Sequence, residues 1–205
     1  MKKLTLILCL LLLPTLLYAG GGMMLGIVGG GTPAAAPPSC ETLEIEYSGS
    51  TNLALISLNQ YSTYTHRMTH YTPAAGFTLC KAQVEMASHD ATPDAVTITF
   101  VVMPDHATED EPDETSPCEC SGTINGNTLT TTPAYVEFTG CNCACNDTTN
   151  GCWFGVKHDG QDTHYVDIRV ATGGEASIVD HHFFYTTTSV WYDDGNAAIR
   201  VGLYK

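Results

Sequence analysis

Six cysteines crowd one stretch of this 205-residue chain: Cys118, Cys120, Cys141, Cys143, Cys145 and Cys152. As thiolates they could hold a soft metal ion, but the paired Cys-x2-Cys knuckles of structural zinc sites are missing. As disulfides the spacing works. Two members of a Cys-x-Cys in an extended strand sit near the upper limit for bonding each other, so each reaches across to another segment. The six are expected to staple the 103–120 loop onto the 140–152 loop, while Cys40 and Cys80 form a separate pair that ties down the first strand. Spacing alone leaves the partner of each loop cysteine open.

The loop before Cys120 carries Asp105, Glu109, Asp110, Glu111, Asp113, Glu114 and Glu119 without a lysine or arginine. Clustered carboxylates can bind calcium, which takes about six to eight oxygens. The Asp-x-Asp-x-Asp-Gly pattern is absent, however, and a solvated acidic face is the simpler reading. Two shorter oxygen-rich turns, Asp193-Asp194-Gly195-Asn196 and Asp159-Gly160-Gln161-Asp162, are candidates for one structural calcium, with Asp193 and Asp194 as ligands in the first. Turn formation by itself also explains Asp-Gly.

Among the histidines, His181 and His182 are neighbours that a strand points to opposite faces. His158 and His164, beside Asp159 and Asp162, make the best metal-like group, against the plainer reading of surface imidazoles. Neither His-Glu-x-x-His nor Gly-x-Ser-x-Gly occurs. No catalytic residue is assigned, no cofactor is required, and the chain reads as a non-enzyme.

Aromatic residues supply the remaining ligand feature. Sugar rings stack on exposed aromatic faces, so Tyr185, Trp191 and Tyr192 are a candidate glycan platform, with core or rim packing as the rival account of Trp191. Trp153 sits in an apolar run and is expected in the core.

The elements that must carry these residues are short strands. Leu43 to Tyr47, Cys80 to Met86, Val96 to Val102, Tyr135 to Thr139 and Tyr165 to Val170 alternate between apolar and polar residues. Further β-branched or apolar runs lie at Leu53 to Leu58, Cys152 to Lys157, Phe183 to Thr188 and Ala198 to Tyr204. Asn125-Gly126-Asn127, Asp159-Gly160, Gly173-Gly174 and Asp194-Gly195 mark turns between them. No stretch keeps helical spacing. The pattern predicts an all-β, two-sheet antiparallel β-sandwich or jelly roll with disulfide-stapled loops over residues 40–205.

The order of these segments resembles a group of secreted bacterial jelly-roll domains, similar in layout to carbohydrate-binding modules and to choice-of-anchor domains. The likeness rests on Phe77 to Val102, Ser121 to Ile124, Leu129 to Phe138, Cys152 to Val156, a late Trp191 and a terminal Ile199-Arg200-Val201 strand. It covers roughly residues 60 to 205 and is a match of layout without a diagnostic motif. It implies the sandwich fold and a binding role. The long acidic loop and the cysteine cluster depart from that pattern.

Residues 1–19 read as a signal peptide, with Lys2 and Lys3 before a leucine-rich run and small residues after it. Cys9 leaves with the leader, so eight cysteines enter an oxidising compartment. A membrane attachment is expected only if the leader stays uncut. Residues 20–39 are a Gly/Ala/Pro-rich linker whose apolar patch, Met23 to Val28, could instead pair with a sheet edge. The whole chain has a formal charge of −14, which opposes nucleic-acid binding. The leading expectation is therefore an exported or cell-surface recognition module, with carbohydrate as its ligand. The alternative is a structural subunit of a surface or filament assembly that self-associates through residues 20–38 as a donor strand.

Overall fold

The computed structural model describes residues 40–47, 54–57, 64–91, 95–159, 166–171, 178–186, 190–193 and 198–205. The expected leader, the linker segment with its Met23 to Val28 patch, and residues 160–165, 172–177 and 194–197 lie outside the described residues.

The chain begins with β1 (Leu43–Tyr47), β2 (Ala54–Ser57), β3 (Tyr64–Tyr71), β4 (Phe77–Leu79) and β5 (Lys81–Ser88). It continues through β6 (Thr97–Pro104), β7 (Cys118–Glu119), β8 (Ile124–Asn125), β9 (Ala134–Phe138), β10 (Cys143–Cys145) and β11 (Cys152–His158). The last strands are β12 (Val166–Ala171), β13 (Ile178–Thr186), β14 (Trp191–Asp193), β15 (Ala198–Ile199) and β16 (Val201–Tyr204). One sheet runs β1-β16-β5-β12-β15, with β2 on β12 and β9 on β5. The other runs β14-β13-β3-β11-β6-β7, with β8 on β6. All these pairings are antiparallel, and β4 and β10 form a small ribbon of their own. The protein is a two-sheet antiparallel β-sandwich.

Alternation sets the interior. Val84, Met86, Ile168, Val201 and Leu203 of the first sheet meet Ile98, Phe100, Val102, Phe154 and Val156 of the second in one buried cluster. Each such side chain contributes about 1.5–3 kcal/mol on leaving water. Aromatic pairs fix the sheets further, with Phe77 stacked on Phe154 at 6.2 Å and Phe100 tilted against Phe138 at 5.7 Å. The Tyr47 hydroxyl donates to the Ala171 carbonyl at 3.0 Å, satisfying the one polar atom of a fully buried ring.

All eight described cysteines are paired. Cys40 bonds Cys80, tying the start of the domain to β5 as the spacing suggests. Cys118–Cys143 and Cys120–Cys141 are two rungs of one ladder, joining the end of the acidic loop to the segment before β11. The third loop bond departs from expectation. Cys145 pairs with Cys152, closing the 140–152 segment on itself rather than reaching the 103–120 loop. Antiparallel rungs consume Cys118 and Cys120 on Cys143 and Cys141, so no upstream partner is left for Cys145. Four disulfides in one domain fit an oxidising compartment.

Pattern reading misses the short strands β4, β7, β8, β10 and β14, and the longest strand it misses is β3, Tyr-Thr-His-Arg-Met-Thr-His-Tyr. It is central in its sheet, between β13 and β11. Its inward residues are partly polar and are satisfied by tertiary bonds: Arg67 Nη2 donates to the Ser57 carbonyl at 2.7 Å, and Thr69 Oγ1 accepts from the Ile199 amide at 2.9 Å.

Candidate functional site

The outer face of the β3 sheet carries a second apolar cluster, formed by Met68, Val101, Met103, Trp153 and Trp191. Register explains it. Trp153 on β11 lies opposite His70 on β3 and Met103 on β6, and Gly155 lies opposite Met68 and Val101. An outer face this apolar needs a cover, and the acidic loop that leaves β6 supplies it.

Two indole groups hold the loop. Trp153 Nε1 donates to Asp105 Oδ1 at 2.8 Å, and Trp191 Nε1 donates to Glu114 Oε1 at 3.1 Å. Hydrogen bonds to charged acceptors are worth about 1.5–3 kcal/mol each. Between these points the loop folds back on itself: the His106 amide donates to Glu111 O and the Asp113 amide to Pro104 O, both at 2.9 Å. Its far foot is fixed by the Cys118 and Cys120 bonds. Burial and a hydrogen bond with Glu109 push the Glu111 carboxyl above its ordinary range.

The loop borders a shallow, open pocket of about 320 Å³ lined by Asp105, His106, Thr108, Glu109, Asp110 and Asn150. Asn150 comes from the turn that the Cys145–Cys152 bond closes. The Asp147 carboxylate shapes that turn by accepting from the amides of Thr149 and Asn150, each at 2.8 Å. Gly151 then takes a φ of +88°, where an added Cβ would lie 2.5 Å from the Tyr71 carbonyl and 2.8 Å from His70 Nε2. This close approach brings the Asn150 carbonyl to 2.5 Å from His70 Nε2.

His70 itself is only 5% exposed and packs tilted against Trp153 with ring centroids 4.8 Å apart. Its Nε2 lies 4.0 Å from Asp105 Oδ1, and one ligand atom each from His70, Asp105 and Asp110 falls within 4.8 Å of the others. Among the described residues this is the group able to hold a metal ion.

The aromatics expected to form a sugar platform are divided. Trp191 is 9% exposed, tilted against His66 at 5.9 Å, with its N–H committed to Glu114. Tyr192 is 54% exposed. Tyr185 lies opposite Trp191 in the β13–β14 register, and its side chain is outside the described set. Trp191 is therefore not an open stacking face, because it is buried and its N–H is spent on holding the loop. Trp153 is buried as expected, but on the outer face rather than between the sheets.

The turn expected to hold calcium falls largely outside the described residues. Asp193 ends β14 with its side chain outside the described set, and Asp194 lies beyond it. His158 is buried at the end of β11, while its suggested companions His164 and Asp162 are outside the described residues. Asp159 is used structurally, accepting from the Thr97 amide at 2.8 Å. His181 and His182 lie on β13, with side chains outside the described set.

At the rim of the other sheet, Asp167 accepts from Ser57 Oγ and pairs with His89 Nδ1, both at 2.8 Å. The carboxylate lies between hydroxyl and imidazole. A serine is activated when an imidazole takes its proton, so this order does not make a nucleophile.

Beneath the Trp191 end of the loop, burial together with the nearby Lys157 and His158 charges pushes the His66 imidazole down to about 4. Unfolded, it ionises near 6.5, so between these values the unfolded chain binds more protons and stability rises with pH. Acidification from pH 6.5 toward 4 is expected to lower the melting temperature progressively, and His66→Phe should flatten that slope. Equal slopes in wild type and variant would remove His66 from the acid response.

Comparison with protein-family models, with curated proteins and with solved structures finds no match to this chain.

Proposed function

We propose that the chain is an exported, non-catalytic β-sandwich module that recognises carbohydrate outside the cell or at its surface, with the acidic-loop pocket as the receiving surface. The observation that carries this reading is the concentration of hydrogen-bond acceptors in a braced pocket. Asp105, Glu109 and Asp110 supply carboxylates, and Thr108 and Asn150 supply a hydroxyl and an amide. Sugar hydroxyls donate in several directions at once, and fixed carboxylates accept such bonds more strongly than neutral groups do. A volume of about 320 Å³ lies at the small end of ligand sites, suited to one end of a glycan rather than to a long chain. Tyr192 is the exposed ring that remains for stacking. Export is supported by the leader-like first residues and by four disulfides.

A glycan array probed with the secreted protein tests this. Binding to a defined glycan class is expected, weakened about tenfold by Glu109→Gln or Thr108→Ala without loss of melting temperature. Removal of residues 20–38 should leave it intact, whereas a subunit that assembles through a donor strand would lose assembly on that deletion. Absence of retention on every glycan, or retention indifferent to both pocket variants, would contradict the reading.

A further inference from the structure

We propose that His70, Asp105 and Asp110 form a binding site for one divalent first-row metal ion, of which zinc is the best match. The inference rests on the geometry of these residues and does not depend on the carbohydrate reading.

Three electron-pair donors converge beside the pocket-lining residues Asp105 and Asn150: His70 Nε2, the Asn150 carbonyl at 2.5 Å from it, and Asp105 Oδ1 at 4.0 Å. Such a set is stable only with a positive charge or a proton among its members. A proton on Nε2 serves by donating to the Asn150 carbonyl. A metal ion can take that proton's place on Nε2, with the imidazole proton moved to Nδ1. Nδ1 has no hydrogen-bond partner among the described residues, so the Nε2 contact with the Asn150 carbonyl alone sets the tautomer of the metal-free ring. The imidazole is also oriented by its tilted packing against Trp153, the same ring whose N–H fixes Asp105. Two of the three ligands are thus held by one indole, before any ion arrives.

The donor types select the ion. Calcium takes oxygen ligands, whereas a buried imidazole with two carboxylates suits zinc and its neighbours in the first row. Tetrahedral zinc, with bonds of about 2.0–2.1 Å, sets its ligand atoms roughly 3.4 Å apart. The present atoms lie within 4.8 Å of one another, so a modest closure is needed. Asp110, exposed on the loop, is the member free to make it. Glu109 and Glu114 add negative potential around the site, which raises the local concentration of cations. Three side-chain ligands leave a fourth position for the Asn150 carbonyl, water or a ligand hydroxyl.

The test is calorimetric titration of the chelator-treated full chain, disulfides intact and no glycan present, with zinc chloride and separately with calcium chloride. One equivalent of zinc is expected to bind saturably, and excess calcium should not displace it. Asp110→Asn, a loop substitution, should weaken zinc about tenfold or more at unchanged melting temperature, and His70→Gln should weaken it further. Cobalt should give visible ligand-field bands and quench Trp153 fluorescence, and both effects should be lost in the variants. No saturable zinc binding, zinc binding unchanged by Asp110→Asn and His70→Gln, or equal competition by calcium would each overturn the proposal. A protein that binds zinc but no glycan would keep this site and lose the carbohydrate reading; one that binds glycan through Glu109 and Thr108 but no zinc would do the reverse.

Discussion

Replacing Gly155 with alanine is expected to destabilise the domain by about 3 kcal/mol or more, the cost of forcing a side chain into a closed backbone contact. Gly155 lies in the middle of β11, opposite Met68 of β3. A Cβ at this position would stand 1.8 Å from the Arg67 carbonyl oxygen and 2.8 Å from the Met68 Cα. Both obstacles are main chain, so no rotamer change relieves them, and β3 and β11 must move apart. That movement would disturb the strand that presents His66, Met68 and His70 to the outer face. Urea unfolding measures the effect, and a change below about 0.5 kcal/mol would show that the two strands are not as close as described.

The disulfide ladder should show a larger and non-additive loss. Cys118–Cys143 and Cys120–Cys141 enclose nested loops with sequence separations of 25 and 21. With one rung in place, the other closes only a few additional residues, so removing either pair to alanine should cost about 2 kcal/mol. With both removed the full loop is released, and the total should reach about 5 kcal/mol, exceeding the sum of the single losses by roughly 1 kcal/mol. The double variant also frees the foot of the acidic loop, so it should lose pocket binding under conditions where each single variant keeps it. Strictly additive losses, or a total below about 2 kcal/mol, would mean that the two bonds do not act as one clamp.

Particular strands show why part of this molecule is legible in its sequence. Strands β1, β5, β9 and β12 announce themselves by alternation between apolar and polar residues, whereas β6 and β11 are apolar on both faces and stand out as short apolar or β-branched runs. Strand β3 does neither, because polar residues on both its faces are satisfied by partners remote in sequence. Arg67 reaches Ser57, Thr69 reaches Ile199, and His70 reaches Asn150. Periodicity detects water avoidance, and it has no signal for a polar residue made comfortable by tertiary contacts. The candidate site followed the same division. Asp105 and Asp110 stand out within an acidic run, whereas His70 and Asn150 join them only once β3 is known to lie beside β11. Trp191 illustrates the converse: an aromatic chosen for its ring face is used through its N–H, because a carboxylate-rich loop folds over it.

The pocket and the proposed metal site both depend on the acidic loop lying pinned across the outer face by two indoles. The chain contains only two tryptophans, so their side-chain N–H signals can be followed individually by nitrogen-edited NMR. The account predicts two indole protons that exchange slowly with solvent, with Asp105→Asn moving the Trp153 signal alone and Glu114→Gln moving the Trp191 signal alone. Indole protons that exchange as freely as those of an unfolded chain, and that ignore both substitutions, would contradict it.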